Sequence, residues 1–178
     1  MRFVTEVIEG GDFCPWARGA RLQGAVDVRV CLDEDLASAA RSYQAIEALD
    51  VIQIVVPDAT DSALRWRERV TLLERSLRRA APSWPYACAA FHPEHPGRPE
   101  SLGGAIGLLR RSPFPMVQLV RLSALDELRA RIPARVDALP AQNQAALMEQ
   151  WAEHYGPIVE ALIAEGAPLR RGEGREPA

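Results

Sequence analysis

The sequence predicts an α/β (or α+β) sandwich of about four mixed strands with helices packed on it, plus a C-terminal helix. Three observations carry that expectation. Short apolar runs alternate with segments of helical periodicity, in the order strand–helix–strand–helix–strand–strand–helix. Proline and glycine mark nearly every boundary between them. The 178 residues, 48% hydrophobic and 25% charged, have ordinary globular composition and enough mass to bury one core.

Taken in order, Arg2 to Glu9 places Phe3, Val4, Val7 and Ile8 at helical spacing before Gly10-Gly11 stops the helix. The turn Cys14-Pro15-Trp16-Ala17 follows, with Cys14 expected at the N-cap of a short helix ended by Gly19. Ala25 to Leu32 alternates Val26, Val28 and Val30 against Asp27 and Arg29, a strand with one wet face. Asp33 to Leu49 reads as a helix through Leu36, Ala39, Ala40, Tyr43 and Ile46, with Arg41 and Glu47 outward. Val51 to Val56 is the most apolar strand and is expected to be central.

Thr60 or Asp61 is expected to cap a helix reaching Ala80, with Leu64, Val70, Leu73 and Leu77 inside. Tyr86 to Phe91 is the third strand, which puts His92 at its carboxyl end. A short helix within Ser101 to Arg111, weakened by glycine, leads to the fourth strand, Met116 to Arg121. Ser123 and Asp126 resemble a capping box for a helix from Ala124 to Ile132, closed by Pro133. After Pro140, a terminal helix from Gln142 to Glu165 is expected to bend near Gly156-Pro157. Residues 1–166 form one domain on this reading, and 167–178 a flexible tail. The first pair of strands should be parallel and the last pair antiparallel.

Charge and composition exclude several classes. A net charge of −3 gives no basic field for nucleic acid. All 21 basic residues are arginine, which rules out Schiff-base, P-loop and kinase-type lysine chemistry. Met1 to Gly11 is too short and too acidic for a secretory signal, and no apolar run reaches membrane-spanning length. With three cysteines, Cys14, Cys31 and Cys88, a cytoplasmic, reduced setting is expected, without a membrane partner. The oligomeric state is left open.

Chemistry is sought in three proline-stiffened spots: Cys14-Pro15-Trp16-Ala17, Phe91-His92-Pro93 and Arg110-Arg111-Ser112-Pro113-Phe114-Pro115. A sulfur at a helix start faces free N–H groups and the positive dipole end, both of which favour thiolate. The first expectation is an enzyme acting on a small anionic molecule. Cys14 would be the nucleophile, His92 the base or acid, and Arg111 the anion clamp. Trp16, Arg18, Arg21, Arg110 and Ser112 would line the substrate. The second is a zinc or iron site using Cys14 and His92 as ligands, completed by His95, Cys88 or Glu94. Cys88 and His92 sit four apart on a strand, roughly 13 Å by strand rise, which tells against both on one ion. The third is a non-catalytic binding or accessory protein whose prolines are architectural.

These motifs together resemble an uncharacterised bacterial family, the domain of unknown function numbered fourteen-fifteen. Its members share a Cys-Pro-[Phe/Trp]-Ala turn, a Phe-His-Pro step and an Arg-Ser-Pro-[Phe/Tyr]-Pro turn, matched here from the first helix to about Arg121. The resemblance points to Cys14, His92, Arg111 and Ser112 without implying a reaction. Glu94 and His95 stand where many relatives carry an acidic residue and an aromatic, and Arg110 where many carry asparagine.

Overall fold

A computed structural model describes residues 2–44, 46 and 48–170. They form a four-stranded mixed sheet with helices, the α+β form of the expected sandwich. Strands β1 (Val26–Val30), β2 (Val51–Val55), β3 (Tyr86–Phe91) and β4 (Met116–Arg121) stand in the order β1-β2-β4-β3. β1 and β2 run parallel, and β4 runs antiparallel to both β2 and β3. The apolar run of β2 is interior, as its lack of alternation predicts.

Alternation along the strands divides the core in two. On one face Ile52, Ile54, Val117, Leu119 and Tyr86 pack with α2 (Leu36–Arg41) and α3 (Ala63–Ala80) through Ala40, Trp66, Val70 and Leu77. On the other, Phe91 and Met116 meet the π-wound N-terminal helix Phe3–Glu9 through Phe3, Val4 and Val7. Leu147, Tyr155 and Val159 close this second core. They come from α6 (Pro133–Gln150), the π turn Trp151–Tyr155 and α7 (Gly156–Arg170).

Several boundaries depart from the sequence reading. Gly19 lies inside α1 (Ala17–Leu22), which ends before Gly24, whose positive φ of 71° breaks the helix instead. Cys14 lies two residues ahead of the Trp16 N-cap rather than at it. The long helix expected from Asp33 to Leu49 is a 3-10 turn, Asp33–Asp35, followed by six residues of α2. Glu47 lies outside the described residues. Ser62, not Thr60 or Asp61, caps α3 by accepting from the Arg65 amide. Trp66 takes the place expected of Leu64, which is exposed, because its indole N–H reaches the Met116 carbonyl across the sheet at 3.2 Å.

β1 also departs from the expected alternation, with Val26 and Asp27 half-buried and Val28, Arg29 and Val30 exposed. Asp27 accepts a 2.5 Å hydrogen bond from Tyr43 Oη on the α2 side, and burial with that carboxylate pushes the phenol up to about 12. The exposed valines, Val28 and Val30, line an open groove with Phe3, Val4 and Leu162. Toward the C-terminus, Arg121 rather than Ser123 stands at the N-cap of α5 (Leu122–Arg131), without a side-chain cap. Pro133 opens α6 in its first turn, where a missing N–H is harmless, and Pro140 is accommodated within α6. The bend expected near Gly156 is the π turn just before it. α7 continues to Arg170, four residues into the expected tail, and 171–178 lie outside the described residues. Among the described residues no helix is long and apolar enough to cross a membrane.

Two of the three glycines of α4 (Leu102–Leu108), Gly104 and Gly107, are required by close packing. A Cβ on Gly107 would come within 2.1 Å of the Pro96 carbonyl oxygen, and one on Gly104 within 2.2 Å of that of Arg98. The loop after His92 is thereby laid directly on the α4 backbone.

Candidate functional site

Cys14 is held by a turn with little freedom. Gly11 passes so close to the Phe13 ring that a Cβ there would overlap it, and Asp12 adopts a positive φ of 50°. Phe13 is buried edge-on against Tyr155, its amide donates to the Ile8 carbonyl, and its carbonyl accepts from Asn143 Nδ2 at 2.9 Å. The first helix, the start of α1 and α6 therefore all fix the backbone next to the sulfur.

The sulfur opens onto a hollow of about 260 Å³ over the centre of the sheet. Phe13, Trp16, Phe91 and Leu109 make its apolar walls, and Cys14, Gln53, Gln118 and Arg110 are its polar members. The resting sulfur is not the activated thiolate that the sequence suggests. Burial pushes the Cys14 thiol up, and hydrogen bonds from the Trp16 and Ala17 backbone amides offset this only in part. The helix that should lower it starts too far along the chain to reverse the desolvation.

Arg110 is half-buried, and among the described residues no carboxylate pairs with its guanidinium. Burial, then the charge of Arg67, holds it below its ordinary value. A cation taken partly out of water without a counter-ion is an incomplete arrangement, and an anion completes it.

His92 and Arg111 line a different hollow, of about 460 Å³, with Thr60, Asp61, Glu94 and Pro115. Phe91 faces the second core, so the next residue turns the other way. His92 accepts the Glu94 amide at Nδ1 over 3.1 Å, and its Nε2 meets the Asp61 carbonyl at 3.0 Å. Arg111 donates from Nε to the Pro93 carbonyl and pairs with Glu160 of α7 at 2.5 Å. Both are committed to holding the loop after β3. Cys14 thus shares its hollow with Trp16 and Arg110, not with His92 and Arg111.

The remaining expected residues scatter. Arg21 pairs with Glu9 at 2.7 Å, which holds the Glu9 carboxyl below its usual range, and Arg18 is exposed. Ser112 lines a third groove and donates to the Phe114 carbonyl at 2.6 Å. For the expected metal set, Cys14 and His92 open on separate hollows, and His95 donates from Nδ1 toward the Pro96 carbonyl. Among the described residues no three His, Cys, Asp or Glu side chains gather as a metal would require.

Sequence reasoning missed Gln53 and Gln118. Each is the single polar residue at the middle of an apolar strand, Val-Ile-Gln-Ile-Val and Met-Val-Gln-Leu-Val. That shared pattern was the available signal, since a buried polar residue in a strand needs a partner. The register places them directly opposite each other, and Gln53 Nε2 donates to Gln118 Oε1 at 3.3 Å.

No curated protein and no solved structure matches this chain. A family model described as protein of unknown function (DUF1415) matches residues 1–155, and the chain belongs to that family.

Proposed function

We propose that this protein is a small-molecule enzyme whose thiol-dependent step runs at Cys14 on an anionic substrate held by Arg110. The observation that carries the reading is the pairing, in one hollow, of a positioned sulfur with a half-buried guanidinium that no carboxylate among the described residues neutralises. The Trp16 and Ala17 amides beside the sulfur support the thiolate once it forms. Arg110 replaces Arg111 as the anion-binding residue, because Arg111 already has Glu160. Three free cysteines are consistent with a reducing, cytoplasmic setting.

A second reading, a binding protein without catalysis, is favoured by one observation. Burial pushes the Cys14 thiol up, against the thiolate that catalysis would use. Titration of benzoate, a minimal apolar carboxylate, tests the part common to both. Calorimetry should show binding, and Arg110→Leu should weaken it roughly tenfold or more, the effect of losing one charged hydrogen-bond partner. Bound benzoate should also slow alkylation of Cys14 by iodoacetamide. Absence of binding together with no effect of Arg110→Leu rejects the site. Catalysis is separated from binding by Cys14→Ser, which should abolish turnover of any substrate found while sparing benzoate affinity.

A further inference from the structure

We infer that Gln53 and Gln118 form the recognition floor of this hollow and select a ligand bearing a carboxamide or lactam edge besides its anionic group. The inference rests on the hollow being the ligand site proposed above, and it names the substrate class.

Gln53 is 8% exposed and lies between Ile52 and Ile54 in the most apolar strand of the protein. A side-chain amide has two N–H donors and a carbonyl that accepts twice. The single bond between the two residues uses one donor of Gln53 and one acceptor position of Gln118. Among the described residues, the Gln53 carbonyl oxygen and the Gln118 amide nitrogen take no partner. Exchanging the oxygen and nitrogen of both amides swaps the two roles but leaves the same kind of remainder, an oxygen without a donor on one residue and an NH2 without an acceptor on the other.

Leucine at both positions would fill a sheet interior without that cost, since replacing both members of a buried polar pair by apolar groups is close to neutral. Neither leftover atom is among the fully buried unpartnered ones, so the pair presents a donor–acceptor edge to a hollow walled by aromatic and aliphatic side chains. A carboxamide or lactam presents the matching edge, one C=O beside one N–H. The walls, with Phe91, Trp16 and Leu109, suit a flat apolar body, and about 260 Å³ accommodates a one-ring molecule. Arg110 takes the anionic substituent. The substrate class is thus a one-ring carboxylate that also carries an amide or lactam.

Benzoate, 3-carbamoylbenzoate and 4-carbamoylbenzoate are matched probes, alike but for the amide. In calorimetric titrations at least one carbamoylbenzoate should bind roughly tenfold tighter than benzoate, as one or two further buried hydrogen bonds allow. Gln118→Leu should remove that preference, so that on this variant benzoate and the carbamoylbenzoates bind with similar affinity. Gln53→Met provides the same reading if Gln118→Leu does not fold, which circular dichroism and melting report. Benzoate binding with no carbamoyl preference, or a preference that survives both variants, overturns this inference and leaves the anion site standing. It would make the pair a cross-strand structural contact only. Failure of all three probes to bind, with Arg110→Leu silent, overturns both.

Discussion

The backbone N–H of Glu94 donates to Nδ1 of His92 over 3.1 Å, which fixes the state of the ring. An amide can only donate, so Nδ1 accepts and Nε2 carries the hydrogen that meets the Asp61 carbonyl. His92 is a neutral strut between the end of β3 and the loop before α3. Replacing it with alanine removes two hydrogen bonds of a nearly buried ring, at a cost of about 2–4 kcal/mol. Thermal melting of His92→Ala should fall accordingly, while the pH profile of Cys14 alkylation stays where it is. A displaced Cys14 profile with an unchanged melting point would return His92 to the chemistry.

The three thiols should differ in reactivity by their surroundings. Burial pushes Cys88 up to about 12, with the charge of Glu74 adding to it, so at pH 8 it carries almost no thiolate. Burial also raises Cys14 and Cys31. Mass-resolved labelling with iodoacetamide should therefore show Cys88 as the slowest site. Cys14 should label with an apparent pKa above the ordinary thiol range in the absence of ligand. A Cys14 titrating below that range would mean that the Trp16 and Ala17 amides outweigh desolvation.

How much of this was legible from the residues alone follows the range of the forces involved. β3 and β4 begin and end at the expected residues; Pro85 and the His92-Pro93 step bound β3, and Pro115 sets the start of β4, locally. The short α2 and the Trp66 anchor were not legible. Each depends on a contact across the fold, the Asp27–Tyr43 bond and the Met116 carbonyl. The same limit governs the site. Local stiffness identified Cys14, Trp16 and Arg110, but strand alternation decides which face each residue after β3 joins. That alternation turns His92 away from the Cys14 hollow. Gln53 and Gln118 are 65 residues apart, and only the β2–β4 register makes them neighbours.

His95 should make the protein acid-sensitive. Burial is the main reason its imidazole lies below the ordinary value of 6.5, and the positive charges of Arg110 and Arg67 press the same way. The Pro96 carbonyl opposes them by accepting from Nδ1, which leaves a buried Nε2 with no partner among the described residues to welcome a proton. A histidine depressed in the folded state binds its proton more readily when unfolded. Its contribution is thus intact above the unfolded value near 6.5 and declines as pH falls through that range toward the lower folded value. Chemical denaturation midpoints should drop between about pH 7 and pH 5, in line with such linkage. His95→Asn keeps a donor for Pro96 and cannot titrate, so its midpoints should be flatter across that window. Equal slopes for both proteins would place the acid sensitivity elsewhere, with Glu9 the next group to examine at lower pH.

Two glycines of α4 offer an internal comparison for the loop that carries His95. Around Gly103 an added Cβ meets nothing within 4 Å, whereas on Gly107 it lies 2.1 Å from the Pro96 oxygen and 3.0 Å from the Gly97 Cα. Both neighbours of Gly107 are backbone, so neither can rotate out of the way. Gly103→Ala should stabilise by about 0.5–1 kcal/mol, since alanine loses less backbone freedom in a helix. Gly107→Ala should destabilise by about 1–3 kcal/mol, the usual cost of forcing atoms into a filled space. Because Arg110 follows Gly107 by one helical turn, that variant should also weaken benzoate binding, and Gly103→Ala should not. Parallel denaturation curves for the two variants would show that the loop yields freely, and that α4 does not hold Arg110 through its contact with Pro96.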